Sequence, residues 1–128
     1  MIQLPYPPSI NRMYRTWRGR MLLSKEGREY YAFAVPIAAT QFNGDPYKRE
    51  VYVIIHMHLP DNRRRDTDNI LKCTFDTLKR ARIIEDDHWI WHHEVIKYKP
   101  DGNPRLMIEI RDDERTEDGR LVDGGYQV

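Results

Sequence analysis

Asp66 and Asp68 stand two residues apart in the run Arg63-Arg64-Arg65-Asp66-Thr67-Asp68-Asn69. Where extended backbone leads into a helix, that spacing points both carboxylates the same way. Two carboxylates this close repel, and one of them takes up a proton unless a cation lies between them. A divalent metal is such a cation. Mg2+ takes oxygen ligands and keeps several of its waters, so one or two carboxylates suffice to hold it. Lys72 follows four residues after Asp68, on the same side of a first helical turn, where its ammonium could balance the acids or reach a phosphate oxygen. A third acid would complete a nuclease-like cluster, and Glu85-Asp86-Asp87 offers three. Spacing alone does not return that turn to the start of the helix.

A D-x-D pair has a plainer role, as a helix N-cap plus a solvated turn aspartate. The neighbouring arginines set this pair apart. Arg63, Arg64 and Arg65 would attract a phosphate backbone, while a metal on the acids would activate water and stabilise the departing oxygen. A second basic stretch, PYPPSINRMYRTWRGR, sets Arg12, Arg15, Arg18 and Arg20 among Tyr6, Tyr14 and Trp17. Alternating bases and aromatics suit phosphates and stacked nucleobases. The same aromatics could equally pin a surface loop to the core. Net charge is only +1, but residues 1–82 hold 15 Lys and Arg against 8 Asp and Glu, and residues 83–128 hold 6 against 12. A basic front part fits a polyanionic partner.

The elements that must position these groups can be read from periodicity. A chain of 128 residues that is 40% hydrophobic makes one domain with one modest core. It has no apolar run long enough for a membrane span or a signal peptide, so a soluble, cytoplasmic protein without a membrane partner is expected. The lone Cys73 excludes an intrachain disulfide and a CxxC zinc site, and its helical setting predicts a buried structural thiol. Residues 2–5 form a short strand, and the proline- and arginine-rich stretch after it an ordered loop. Ser24 caps a helix over Glu26–Gln41 with Gly27 at the third position, and Tyr30, Phe33, Ala34, Ile37, Ala38 and Gln41 follow its period. Pro36 should kink this helix or end it early.

VYVIIHMHL, residues 51–59, is a strand with Val51, Val53, Ile55, Met57 and Leu59 on one face. Asp66 or Asp68 then caps a helix from about Asn69 to Arg80, with Ile70, Leu71, Thr74, Phe75 and Leu78 inward. A strand within WIWHHEVIKYK leads through Pro100-Asp101-Gly102-Asn103-Pro104 to a hairpin partner at 105–111. The order β-α-β-α-β-β predicts an α+β domain: a small mixed β-sheet of about four strands with two helices on one face. That domain covers residues 1–111. Residues 112–128, acidic and Gly-bearing, read as a mobile tail.

The stretches LPYPPSINRMYR, RGRMLLSKEGREY and RRRDTDNILKCTFDTLKRARIIEDD together resemble the RusA family of Holliday junction resolvases, small Mg2+-dependent endodeoxyribonucleases common in prophages. The similarity runs over roughly residues 3–110. Its most specific part is R-R-D-x-D-N, a lysine three residues past the asparagine, and Asp-Asp after the helix. The resemblance implies a RusA-like fold, a metal site of Asp66, Asp68 and Asp87, and Lys72 as the lysine of the catalytic site with Arg65 beside it. It implies Mg2+ as cofactor, with Mn2+ as a substitute, and four-way DNA as substrate, cut symmetrically in recombination and repair. It also implies a homodimer, since a two-fold axis presents two sites to two strands and can bring helix ends of different subunits together.

Two departures bear on the structure. Where the family usually has Ala-Gly after the helix, this chain has Ala81-Arg82, so that turn must be built differently or carry strain. His88-Trp89 follows the acidic pair in place of a small residue and Gln. The tail from Asp112 has no counterpart in the family pattern. Two other functions compete. His56-x-His58 and His92-His93-Glu94 could be drawn as a zinc hydrolase, but no complete ligand set such as H-E-x-x-H is present, and a place on the polar face of the sheet is expected instead. A non-catalytic DNA-junction-binding protein would use the basic loop as a grip and the acids merely as a cap.

Overall fold

The computed structural model describes residues 1–115; the greater part of the segment read as a tail lies outside the described residues. The first strand, β1 (Ile2–Pro5), buries Ile2 and Leu4 and exposes Gln3, the period-2 pattern of a half-covered strand. The stretch expected as a loop is more ordered than that. It holds a single helical turn, α1 (Ile10–Met13), and a hairpin of β2 (Tyr14–Trp17) and β3 (Arg20–Leu23). The hairpin closes through a two-residue turn in which Arg18 (φ 50°) and Gly19 (φ 71°) both adopt positive φ, the twist that suits antiparallel strands. The signal was masked because arginine fills the position usually given to Asn or Asp.

Helix α2 (Lys25–Thr40) starts where Ser24 predicts: the Ser24 hydroxyl accepts from the Gly27 amide at 2.9 Å and donates to the Met13 carbonyl at 2.9 Å. The missing Glu of a capping box has a steric reason. A Cβ on residue 27 would sit 2.4 Å from the Met13 carbonyl oxygen, so only glycine fits. Pro36 does not end the helix, which continues to Thr40. Pro36 and Ala32, four residues before it, are both exposed, so the lost hydrogen bond falls on the solvent side. The buried stripe is Gly27, Tyr30, Tyr31, Ala34 and Ala38, and Phe33, expected within it, is 62% exposed.

Strand β4 (Val51–His58) is central in a four-stranded sheet of order β1-β6-β4-β5, with β5 spanning Ile90–Tyr98 and β6 Arg105–Asp112. Here the expected hairpin is corrected. β5 and β6 do not pair with each other; β4 lies between them, antiparallel to β6 and parallel to β5. Val51, Val53, Ile55 and Met57 are buried on the helix side and Ile54 on the other, so β4 is the strand that must be enclosed. The proline-bounded connection at 99–104 is long enough to cross its width, about 10 Å. Parallel pairing of β4 and β5 requires a crossover, and helix α3 (Asp68–Arg80) provides it.

The main core fills the space between the sheet and α2 and α3, joining Leu4, Val53, Ile55, Ile108, Ala38, Ile70 and Leu78. A smaller one, Met13, Tyr30, Tyr31, Ala34 and Cys73, lies under the base of the hairpin and ties it to both helices. Cys73 is buried as expected, and burial pushes its thiol up to about 12. The architecture is α+β with a mixed four-stranded sheet, as the sequence predicts. No helix among the described residues is long and apolar enough to cross a membrane.

Candidate functional site

The connection from β4 to α3 carries the acidic pair, and its shape is set by a residue the sequence reading overlooked. Asp61 accepts from the Arg63 amide at 2.9 Å, from Arg63 Nε at 3.3 Å and from Arg65 Nη2 at 2.8 Å. The Arg63 amide, ahead of the Arg65 guanidinium, holds the Asp61 carboxyl below the usual carboxylate range. Lys97 of β5 donates to the Arg65 carbonyl and anchors the loop to the sheet. Two of the three arginines are therefore fixed by Asp61, not by the D-x-D pair. The Arg65 guanidinium, three-quarters buried, lies 6.0 Å from the Tyr6 ring centroid, while Arg64 is exposed and makes no ion pair among the described residues.

Asp66 and Asp68 are both exposed, and neither carboxylate has a hydrogen bond or ion pair among the described residues. Neither acts as the expected cap. Thr67 occupies the N-cap position with helical dihedrals and no side-chain cap, and the Asp66 backbone carbonyl, not its carboxylate, receives the Asn69 amide at 3.4 Å. This leaves two oxygen-donor side chains open at one helix start, a donor set that suits a hard divalent cation.

Lys72 lies one turn further along α3, its ammonium 3.5 Å from Asp76 Oδ2 and 5.4 Å from the Tyr14 ring centroid. Asp76, 17% exposed, also accepts from the hydroxyls of Tyr14 at 3.4 Å and Tyr31 at 3.5 Å, and those hydroxyls are 3.3 Å apart. Burial and the Tyr14 hydrogen bond push the Tyr31 hydroxyl up, so it stays a neutral donor. Asp68, Lys72 and Asp76 follow at i, i+4, i+8 along one helix face. Asp76 was legible only through that spacing.

The third acid sits elsewhere. Asp87 opens a short 3-10 turn (Asp87–Trp89) just before Ile90, which is level with Val51 at the beginning of β4. Asp66 and Asp68 follow the end of β4. The helix between the two places has 13 residues, about 20 Å at 1.5 Å per residue. Among the described residues no three acids, histidines or cysteines form a group that could hold an ion. Within one chain, Asp87 is not brought to Asp66 and Asp68. Its neighbours are otherwise committed: Glu85 accepts from Trp89 Nε1 at 2.8 Å, and Asp86 accepts from the Asp87 amide at 2.7 Å and faces His88 at 3.2 Å. Asp87 itself is exposed and unpaired with any cation among the described residues.

Of the front arginines, Arg12 forms a two-point ion pair with Glu26, at 2.6 and 3.1 Å, that joins α1 to α2. Arg15, Arg18 and Arg20 are exposed on the hairpin, with the Arg18 guanidinium 4.5 Å over the Trp17 ring. The histidines have structural partners. His56 bridges the Tyr98 hydroxyl at 2.7 Å and Glu109 at 2.8 Å, His58 stacks on Tyr98, His92 stacks on Tyr52 at 3.9 Å, and His93 meets Phe75 edge-on. A zinc site assembled from them is not present among the described residues.

An α+β fold that leaves two carboxylates open at a helix start, next to a run of arginines, suits a small metal-assisted nuclease. Residues 5–111 match the family described as Endodeoxyribonuclease RusA. The chain is 38% identical over 109 residues to the crossover junction endodeoxyribonucleases RusA of Enterobacteria phage 82, Shigella sonnei (strain Ss046) and Escherichia coli (strain K12), covering 85% of this chain and 91% of each relative. The chain belongs to the RusA endodeoxyribonuclease family.

Proposed function

We propose that this protein is a crossover junction endodeoxyribonuclease that resolves Holliday junctions by paired symmetric phosphodiester cleavage, in the cytoplasm, as a homodimer using Mg2+ or, in its place, Mn2+. The observation that carries the reading is the Asp66–Asp68 pair, open and without counter-ions among the described residues, in a chain of this family. A divalent ion bound there would supply an activated water and charge to stabilise the departing oxygen. Asp66 and Asp68 would hold that ion at the start of α3 and so fix where it meets the reacting phosphate. Lys72, kept on that face by Asp76, meets the phosphate oxygens as a point charge. Arg64 and Arg65, with Arg63, track the flanking backbone. In the hydrolysis the water oxygen bonds to phosphorus, the bond to the leaving sugar oxygen breaks, and that oxygen takes a proton.

The separation of the acids supports the homodimer. An Asp87 about one helix length from Asp66 and Asp68 can complete the site only if it comes from the partner subunit, and a two-fold axis then builds two such sites, one for each strand to be cut. The competing reading, a junction binder without chemistry, draws on the same separation. A synthetic four-way junction decides between them: nicks mapped at symmetric positions with Mg2+, and none with EDTA, are expected, whereas binding without nicking would establish the binder. The shared site has its own test. Asp68→Asn and Asp87→Asn variants, each inactive, are mixed and allowed to exchange subunits. The mixed dimer keeps one intact composite site and should regain single-strand nicking; no recovery after verified exchange overturns the shared site.

A further inference from the structure

The β2–β3 hairpin forms a sheet of its own and pairs with no strand of the main sheet. Its base is fixed. Met13 is fully buried, its carbonyl receives the Ser24 amide at 2.8 Å, and Tyr14 reaches Asp76 beside Lys72. Its tip is not covered: Trp17 is 53% exposed and Met21 68%. Opposite residues of an antiparallel pair share a face, so the register Trp17↔Arg20 and Arg15↔Leu22 places Trp17, Arg15 and Arg20 together. Arg18 stacks over the same indole at 4.5 Å. Residues 1–25 contain no acidic side chain at all. The tip is thus a half-exposed indole that carries the Arg18 guanidinium on one face of its ring, with Arg15 and Arg20 beside it, complementary to a nucleobase stacked on its other face and flanked by phosphates.

We propose that Trp17 stacks on base faces exposed at the branch point of four-way DNA, with Arg15, Arg18 and Arg20 on the adjoining phosphates, so that the hairpin selects branched over linear DNA. In an intact duplex every base face is already covered, and a wedge must first unstack a step. At a branch the stacking is interrupted, and an indole finds a surface at lower cost. Because the hairpin base is joined to Asp76 and Lys72 through Tyr14, the recognised branch is held at a fixed place relative to the acidic pair. The inference rests on the resolvase reading but concerns how the branch is recognised.

Binding of full-length protein is measured in EDTA, so that cleavage plays no part, on a four-way junction and on a linear duplex containing the same sequences. Trp17→Ala should weaken junction binding about tenfold or more, as loss of a stacked base does, and change duplex binding by less than about twofold. Trp17→Phe should keep most of the selectivity. A 2-aminopurine placed at the branch should be perturbed by the wild-type protein and by Trp17→Phe, but not by Trp17→Ala. Equal losses on junction and duplex, or an unchanged ratio with Trp17→Ala, overturn the proposal. A wild-type protein that selects junctions through Trp17 yet never nicks them would instead sink the nuclease reading and leave this one standing.

Discussion

The two ends of α3 are finished in opposite ways. At its C-terminal end the orphan carbonyls are satisfied: the Ala81 amide donates to Thr77 at 2.9 Å, Arg82 to Lys79 at 3.0 Å and Ile83 to Leu78 at 3.0 Å. The last two bonds form a Schellman closure, made with Arg82 at φ 60°, a left-handed conformation that an L side chain adopts only with strain. At the N-terminal end no side chain caps the helix, the first amide contacts are long at 3.4 Å, and the carboxylates of Asp66 and Asp68 stand by without bonding to it. One end tolerates strain to close its hydrogen bonds. The other leaves bonds unmade beside two open carboxylates. On the proposed reading, stability and chemistry occupy separate ends of one helix, and that division can be probed by substitution.

The largest effect belongs to the open end. Asp68→Asn should reduce junction cutting to background while leaving junction binding intact or tighter, because a negative charge near phosphates is removed. Its unfolding free energy should change by less than about 0.5 kcal/mol, since the carboxylate makes no internal bond. Full nicking by this variant in a gel assay would dissolve the contrast between the ends. Asp76→Asn acts in the middle of the helix. It releases Lys72 and both tyrosine hydroxyls from their shared acceptor, and turnover on a pre-bound junction should fall about 10- to 100-fold with affinity unchanged. Lys72→Ala measured alongside it should be at least as impaired; an Asp76→Asn protein that turns over normally would separate the tyrosine cluster from the chemistry. The smallest effect belongs to the closed end. Arg82→Gly relieves the left-handed strain and should raise stability by about 1 kcal/mol in urea titration. Junction cutting should stay as it was; a loss of activity would mean that Arg82 serves more than closure.

What the sequence disclosed depends on how local the determinant is. The Ser24 cap, the alternating faces of β4, the inward Cys73 and the strain in the Ala81-Arg82 turn each rest on a few neighbouring residues, and each appears in the structure. The order of strands rests on which strand most needs covering, a property of the whole sheet, and the β5–β6 hairpin expectation failed there. Phe33 has the right period for the core but lies outside it, because the buried stripe runs through Gly27, Tyr30, Tyr31, Ala34 and Ala38 and leaves position 33 on its exposed flank. Asp61 was hidden because its partners, Arg63 and Arg65, looked committed to the acids that follow them. The place of Asp87 depends on the chain's full path down α3 and back, which spacing does not encode.

The pairing of β1 with β6 has a consequence for synthesis. Ile2 lies against Ile108 and Leu4 against Leu106, so β1 meets its one sheet neighbour among the described residues only near the far end of the domain. Until Arg105–Asp112 has emerged, β4 lacks one flank and the apolar side of β1 has no sheet to join. A half-made polypeptide therefore has no finished scaffold on which to hold its acidic pair.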